Sequence, residues 1–331
     1  MAAVAARRFP AGAGSWNDSS SGQLVASWPV SPARPPSAAT ACPLCGGATA
    51  AAFSTPDRNR ALSAERFFYR RCGDCGALHL ANVPENLAAF YPSEYFVLPT
   101  IEALRAEASG HESYRMGLVA RHARGGRLVE VGPGNGIFAV QALDAGFDVA
   151  AVEADPGVCA HLRATLGIEV VQSTAPEATL GPLGPADAIV AWHVIEHVGR
   201  PWAVLEAAAA SLRPGGVLIL ATPNPRAFGL RVLGGRWPHV DAPRHLFLLP
   251  YDAVIAHART LGLEPVQLTA TDPGGLHWNA FSWHWLLRRP RPSLLRDRVA
   301  HLSSLVIAGA LAPIERHGLR GAAYTLVLRK A

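Results

Sequence analysis

Lysine is almost missing from this 331-residue chain: Lys330 is the only one, although Lys and Arg together number 30. The resulting net charge of +5 therefore reads as compositional bias rather than selection for a nucleic-acid backbone, and nucleic acid is not the expected partner. Long apolar runs are missing too. The longest, residues 302–314, is shorter than the roughly 20 residues that a membrane-crossing helix requires. No charged-then-apolar leader precedes the first cysteine; residues 1–40 are rich in Ala, Pro, Ser and Gly and are expected to stay disordered, with the cytoplasm as the expected compartment. Half of the residues are apolar, enough for one large domain and a small one.

Cysteine is scarce as well, yet four of the five occur as two Cys-x-x-Cys pairs, Cys42/Cys45 and Cys72/Cys75. Each pair places two thiolates around a tight turn, and four thiolates satisfy tetrahedral zinc with no open position, so a structural site is expected. The run Arg66 to Arg71 between them reads as a strand, as in a zinc ribbon. The fifth, Cys159, is expected as a small buried residue.

The richest stretch is Val129-Glu130-Val131-Gly132-Pro133-Gly134-Asn135-Gly136-Ile137-Phe138-Ala139. A short apolar run ends in glycines and passes into helix formers, which is half of a βαβ unit. Glycines at alternate positions permit a sharp turn and close approach of a ligand. A dinucleotide fingerprint would place its third glycine at 137, where Ile137 stands, so a nicotinamide cofactor is disfavoured. The next apolar strand, 148–153, ends in Glu153, a carboxylate placed to accept the hydroxyls of a ribose.

Residues 129–139 and 151–155 together resemble the first motif and the second-strand acid of class I S-adenosylmethionine-dependent methyltransferases. The resemblance extends over about residues 127–225, through Trp192-His193 after a fourth strand and Arg-Pro-Gly-Gly before a fifth. It implies an α/β, Rossmann-like, seven-stranded mixed sheet with helices on both faces, beside the small N-terminal zinc ribbon. It also implies S-adenosylmethionine as cofactor, held by Glu130, Gly132, Gly134, Asn135, Gly136, Glu153, Ala154, Thr174, Trp192 and His193. The expected organisation is 1–40 disordered, 41–82 ribbon, 83–125 linker and lid helices, 126–270 core, and 271–331 substrate-side helices with a last strand at the sheet edge.

His193-Val194-Ile195-Glu196-His197 also satisfies a zinc-peptidase pattern, but that chemistry needs one long helix, whereas this segment follows a strand and meets Pro201 four residues later. Glu196 and His197 are expected instead to hold the turn through hydrogen bonds. Farther on, His245 matches the histidine of a Glu-His pair that supplies the base in related sugar methyltransferases with zinc knuckles, while Arg244 stands where they have glutamate. His245 is the expected general base; Tyr91, Tyr95, His239 and Arg244 are the expected acceptor contacts. Nine basic residues against two acidic ones from 281 to 331, beside aromatic and apolar ones, suit peripheral membrane contact or a lipid-linked anionic acceptor; an ordinary core helix with a solvated arginine face is the preferred reading. The expected reaction is methyl transfer to a small-molecule or sugar-like acceptor. An RNA methyltransferase using its ribbon, or a non-catalytic scaffold keeping the fold, are the competing readings.

Overall fold

Strands of the large sheet form where the sequence is apolar on both alternating faces. In a computed structural model, which describes residues 41–92, 96–287 and 294–331, β4 (Arg127–Val131), β5 (Asp148–Glu153), β6 (Glu169–Gln172), β7 (Ala186–Trp192) and the start of β8 (Leu212–Pro223) pair in parallel. Their central residues are buried on both faces, as parallel strands covered by helices must be. The crossovers are α3 (Ile137–Asp144), α4 (Pro156–Leu166), the single-turn α5 (Leu180–Leu183) and α6 (Pro201–Ser211). Asp155 caps α4 by accepting from the Val158 amide at 2.9 Å, and Gly167, at φ +66°, stops it. Two helices precede β4, α1 (Ile101–Ala108) and α2 (Tyr114–Ala120). The expected disordered segment 1–40 and Tyr95 lie outside the described residues.

α6 stops at Ser211, and Leu212 already pairs with Ala186, because Pro214 supplies no amide for another helical turn. One expectation about this sheet is corrected. The last strand, β11 (Ala323–Lys330), is not at the edge: the order is β10-β11-β8-β7-β4-β5-β6, with β11 antiparallel to both β8 and β10 (Leu263–Thr269). Burial explains the placement. Tyr324, Leu326, Val327 and Leu328 are at most 1% exposed, whereas β10 is exposed or half-buried after Leu263 and carries Pro265, which an edge strand tolerates.

The four-cysteine module is a small antiparallel sheet of β1 (Thr49–Pro56), β2 (Arg66–Cys72) and β3 (Leu78–Leu80). Its fourth strand comes from the large domain: β9 (Phe247–Leu248) pairs with β3. An ion cluster seals the joint. Arg244 is fully buried and donates to Asp57 at 2.7 Å and to both carboxylate oxygens of Asp241 at 2.7 and 2.9 Å. Tyr69 of β2 donates to the His245 carbonyl at 2.6 Å, and Asn59 to the Pro238 carbonyl at 2.9 Å. Segment 237–248 is thereby fixed from the module's side.

Between β8 and β10 lie α7 (Phe228–Leu233) and α8 (Tyr251–Thr260); α9 (Pro273–Leu287) and α10 (Leu294–Arg316) pack together before β11, with Trp283 donating to Glu315 at 2.9 Å. α10 packs on α9 and buries Ser304 and Glu315, while Val299, Leu302 and Val306 are exposed at 55, 62 and 73%. Among the described residues no helix is long and apolar enough to cross a membrane.

Removing one member of a buried ion cluster leaves uncompensated charge, costing roughly 3–5 kcal/mol. Arg244→Ala should lose about that much in urea denaturation, whereas Arg213→Ala, at a half-exposed pair with Asp187, should lose about 1 kcal/mol or less.

Candidate active site

The parallel strands all deliver their C-terminal ends to one edge, the place where open α/β sheets bind ligands. After β4 the chain turns through Gly132, Gly134 and Gly136 at φ +67, +54 and +89°, backbone that side chains rarely adopt. The three glycines do different work. A Cβ at Gly132 would lie 2.5 Å from Val194, and one at Gly136 would lie 2.5 Å from Leu162. Both therefore serve contact between protein segments. Only Gly134 faces an aromatic cover, its Cβ position 3.4 Å from Phe96, so Phe96 lies over the turn.

Glu153, at the tip of β5, turns back onto this loop. Its Oε2 accepts from the Gly134 amide at 3.3 Å and its Oε1 from the amides of Ala154 and Asp155 at 2.7 and 2.9 Å. Burial nevertheless raises its pKa, against the lowering by those amides. Glu130 is buried within β4 with Oε2 lacking a hydrogen-bond partner, and burial lifts its pKa to about 8. The Asn135 side chain approaches the Ile137 amide at the start of α3. Thr174 lies exposed in the bend after β6. Trp192 is 6% exposed, between Phe138 (ring centroids 5.4 Å apart) and the Arg115 guanidinium, 5.2 Å above the indole.

Beside the glycine turn the chain leaves β7 through His193, whose φ of +58° is unusual for a residue with a side chain. Trp278 of α9 donates its indole N–H to His193 Nε2 at 3.0 Å, which leaves the proton on Nδ1, 3.5 Å from Glu196 Oε1. Glu196 is fully buried. Thr222 at the end of β8 donates to its Oε2 at 2.9 Å, and its carbonyl receives the amide of Leu246 at 2.8 Å. Segment 193–200 is a turn, not a helix, and α6 begins only at Pro201; the peptidase geometry is absent.

Segment 237–248 closes the other side. His245 is 8% exposed, its Nδ1 held by the His239 carbonyl at 2.9 Å, and its ring meets that of His197 at 4.6 Å and 78°. His197 Nδ1 lies 3.1 Å from the Arg244 carbonyl and 3.0 Å from the Tyr91 hydroxyl. His239 donates from Nε2 to the Trp278 carbonyl at 3.1 Å, and Trp278 meets Phe281 edge-on at 5.6 Å. The site is thus a pocket of imidazoles and aromatic rings.

Its electrostatics follow from burial. Desolvation holds His197 near pKa 4 and His239 near 3, with neighbouring histidines adding to the effect. For Glu196 burial would raise the pKa, but the nearby imidazoles of His193, then His245 and His197, outweigh it and bring it to about 2. Asp241 is brought to about 2 in the same way, by Arg244. His197 and His239 are thus held as neutral imidazoles in the same site as the ionised carboxylate of Glu196.

The structure brings His245, His239, His193 and Tyr91 together. Arg244 does not join them: its side chain is fully buried in the ion cluster with Asp57 and Asp241, so an acceptor contact is corrected to a structural role. Trp278, which no local pattern marks, enters the pocket from 85 residues beyond His193.

A methyltransferase-domain family profile matches residues 105–268. The ubiquinone biosynthesis O-methyltransferase of Cereibacter sphaeroides strain ATCC 17025 is 31% identical over 177 residues, covering 50% of this chain and 68% of that protein. The protein of the same name from Xanthomonas oryzae pv. oryzae is 32% identical over 124 residues, 34% of this chain and 50% of its own. Among solved structures, an S-adenosylmethionine-dependent methyltransferase from Archaeoglobus fulgidus is 16% identical, with a TM-score of 0.46, over 69% of this chain and 97% of that one.

His239 sits well below the ordinary 6.5, so the folded chain binds fewer protons than the unfolded chain below that pH. Its contribution is present above pH 6.5 and lost as pH falls toward 3. Glu130, raised to about 8, acts with the opposite sign, but a change at 239 leaves it alone. His239→Gln should flatten the acid side of the stability curve by up to about 1.4 kcal/mol per pH unit between pH 6 and 4, read from urea midpoints.

Proposed function

The chain belongs to the class I S-adenosylmethionine-dependent methyltransferases, and on that premise we propose that it methylates a hydroxyl of a small, sugar-like or ring-bearing acceptor held in the histidine pocket. The observation that carries this reading is His245: a buried imidazole with Nδ1 engaged by a carbonyl, set among aromatic walls at the sheet edge that also bears the glycine turn. Named relatives that act as O-methyltransferases support oxygen as the methylated atom.

The residues present fit the cofactor. A Cβ at Gly134 would enter the space under Phe96, and Glu153 is drawn over the same turn; Gly132, Gly134, Asn135 and Gly136 would hold the methionyl part, and Glu153 with Ala154 the ribose. Glu130 would support the turn from beneath, and Thr174, Trp192 and His193 would flank the adenine and methyl ends. When bound, S-adenosylmethionine supplies a methyl group already activated by the attached sulfonium. The protein's own part is to orient the acceptor and take its proton. His245 accepts that proton at Nε2, since Nδ1–H is committed to the His239 carbonyl. Trp278, Phe281 and Tyr91 exclude water and position the acceptor. Orientation can contribute roughly 7–11 kcal/mol and a base about 10²–10⁴-fold.

The four thiolates fit zinc. Cys42 and Cys75 sulfurs are 3.8 Å apart, Cys45 and Cys72 3.4 Å, and all four lie within 4.8 Å of one another; four Zn–S bonds of about 2.3 Å give edges of about 3.8 Å. Such a closed set leaves the ion structural, stabilising the module behind the pocket. Exposed Val299, Leu302 and Val306 beside Arg298 suit contact with an anionic lipid surface, and hence a lipid-linked acceptor.

Gly134→Val should weaken S-adenosylmethionine binding at least roughly tenfold by calorimetry, through backbone strain and lost space. His245→Ala should keep that affinity within about twofold and lose about 10²–10⁴-fold in turnover against a panel of phenolic, sugar and lipid-linked hydroxyl acceptors scored by mass. Full turnover in His245→Ala would remove the base from this reading; unchanged binding in Gly134→Val would remove the cofactor site.

A further inference from the structure

Side chains alternate along β2 of the cysteine module. Phe67 and Tyr69 are buried at 0 and 1% exposure on the inner side, where Tyr69 donates to the His245 carbonyl. Arg66, Phe68 and Arg70 therefore point the other way, off the far face of the small sheet, and all three are half-buried. Across from them β1 offers little cover: it is the edge strand, it carries exposed Ala50, Ala51 and Ala52, and its pairing with β2 slips by one residue at Ala52. Small side chains there leave a cavity of about 260 Å³ whose walls include Ala51, Ala52, Ser54, Phe68, Arg70 and Ala81. The rings of Phe67 and Tyr69 pair with those of Phe90 and Phe53, whereas among the described residues that of Phe68 meets no other ring.

Three guanidiniums converge at one end of this cavity. Arg66 donates to the Ser54 carbonyl at 3.2 Å and to its hydroxyl at 2.8 Å, its Nη1 making no bond among the described residues. Arg236 is brought alongside by the turn Gly234–Arg236, packed so closely on β1 that a Cβ at Gly235 would lie 2.8 Å from the same Ser54 carbonyl. Arg58 follows β1; partial burial, then the charges of Arg236 and Arg66, lower its pKa, so the three share one field. Among the described residues none of the three forms an ion pair, and the nearest acid in sequence, Asp57, is turned inward to Arg244. Like charges gathered beside an open ring make a cradle for an anion carried on a flat group.

We propose that the outward face of the module binds a nucleoside diphosphate, its base stacked on Phe68 and its phosphates held by Arg58, Arg66 and Arg236. The cavity is smaller than the roughly 300 Å³ or more of pockets that enclose a whole ligand; the base enters it, and the phosphates stay at the rim where the arginines stand. A nucleic-acid strand would carry phosphates on both sides of the stacked base. On the second side Arg70 already commits Nε and Nη2 to Thr49 at 2.8 Å each, so the charge is concentrated at one end, as a single diphosphate requires. Because Tyr69 faces the histidine segment from the opposite side of the sheet, this site is separate from the acceptor pocket, and it does not rest on the methyl-transfer reading.

The test uses the full chain purified with zinc and saturated with S-adenosylhomocysteine, so that a nucleotide has no access to the glycine turn. ADP, CDP, GDP and UDP are titrated in turn by calorimetry, with inorganic pyrophosphate as the probe that lacks a ring. At least one diphosphate should bind once per chain, at least about fivefold more weakly in Phe68→Leu, through lost stacking, and at least about threefold more weakly in Arg236→Gln; Phe68→Tyr keeps the ring and should keep the affinity. Pyrophosphate should respond to Arg236→Gln and not to Phe68→Leu. Zinc content and S-adenosylhomocysteine affinity equal to wild type report that each variant is folded, and Arg58→Gln replaces Arg236→Gln if that variant is not. Failure of all four nucleotides to bind overturns the inference, as does binding unchanged in Phe68→Leu and Arg236→Gln. A short single-stranded oligonucleotide bound through the same residues more tightly than every diphosphate overturns it in favour of nucleic acid. A diphosphate bound once per chain and lost in the variants, with no S-adenosylhomocysteine binding by wild type, upholds this site and overturns the methyl-transfer reading.

Discussion

A guanidinium with no water around it organises this protein. Arg244 reaches Asp57, just past the first strand of the cysteine module, and Asp241, three residues earlier in its own segment. The arginine could not be buried without carboxylates to pair with, and removing it would leave a buried charge uncompensated. The segment carrying His239 and His245 is therefore held as a rigid shelf rather than a loop. Everything the pocket does depends on that shelf: the carbonyls of His239 and Arg244 are the acceptors that orient His245 and His197.

The glycine turn divides its duties in a way that bears on how such motifs are read. Two of its glycines are required by Val194, at the exit of β7, and by Leu162, on α4, which press on the turn. Only the middle one lies beneath an aromatic cover. Close approach of protein to protein is thus as strong a reason for glycine here as close approach of a ligand. Contact with Val194 also couples the turn to the histidine segment, since His193 precedes that residue and Glu196 and His197 follow it.

Much of this was legible beforehand, for physical reasons that can be named. Strands buried on both faces announce themselves as continuous apolar runs, so the parallel part of the sheet and the acid at Glu153 were placed within a residue or two. Four thiolates at knuckle spacing likewise needed no tertiary knowledge, and their sulfurs do converge. Strand order at the far edge was not legible, because whether β11 inserts between β8 and β10 is decided by packing between distant segments. The role of Arg244 was hidden for the same reason: Asp57 lies 187 residues away. Trp278 was hidden by its helix, apolar all round and giving no face to read. Glu196 and His197 were expected as turn holders, and they are; what the sequence could not tell is that the turn leaves one carboxylate oxygen unpaired.

The pairing of β9 with β3 has an implication for how this architecture can change over time. A module attached by a linker can be gained, lost or exchanged by recombination at the linker. Here the last strand of the small sheet is encoded about 170 residues downstream of its partner, inside the segment that carries His239 and His245. A cut between the two would leave one gene fragment with an open sheet edge and the other with an unsupported shelf. Cysteine knuckles and histidine-bearing segment are consequently bound to be inherited together, and divergence in one constrains what substitutions the other can accept.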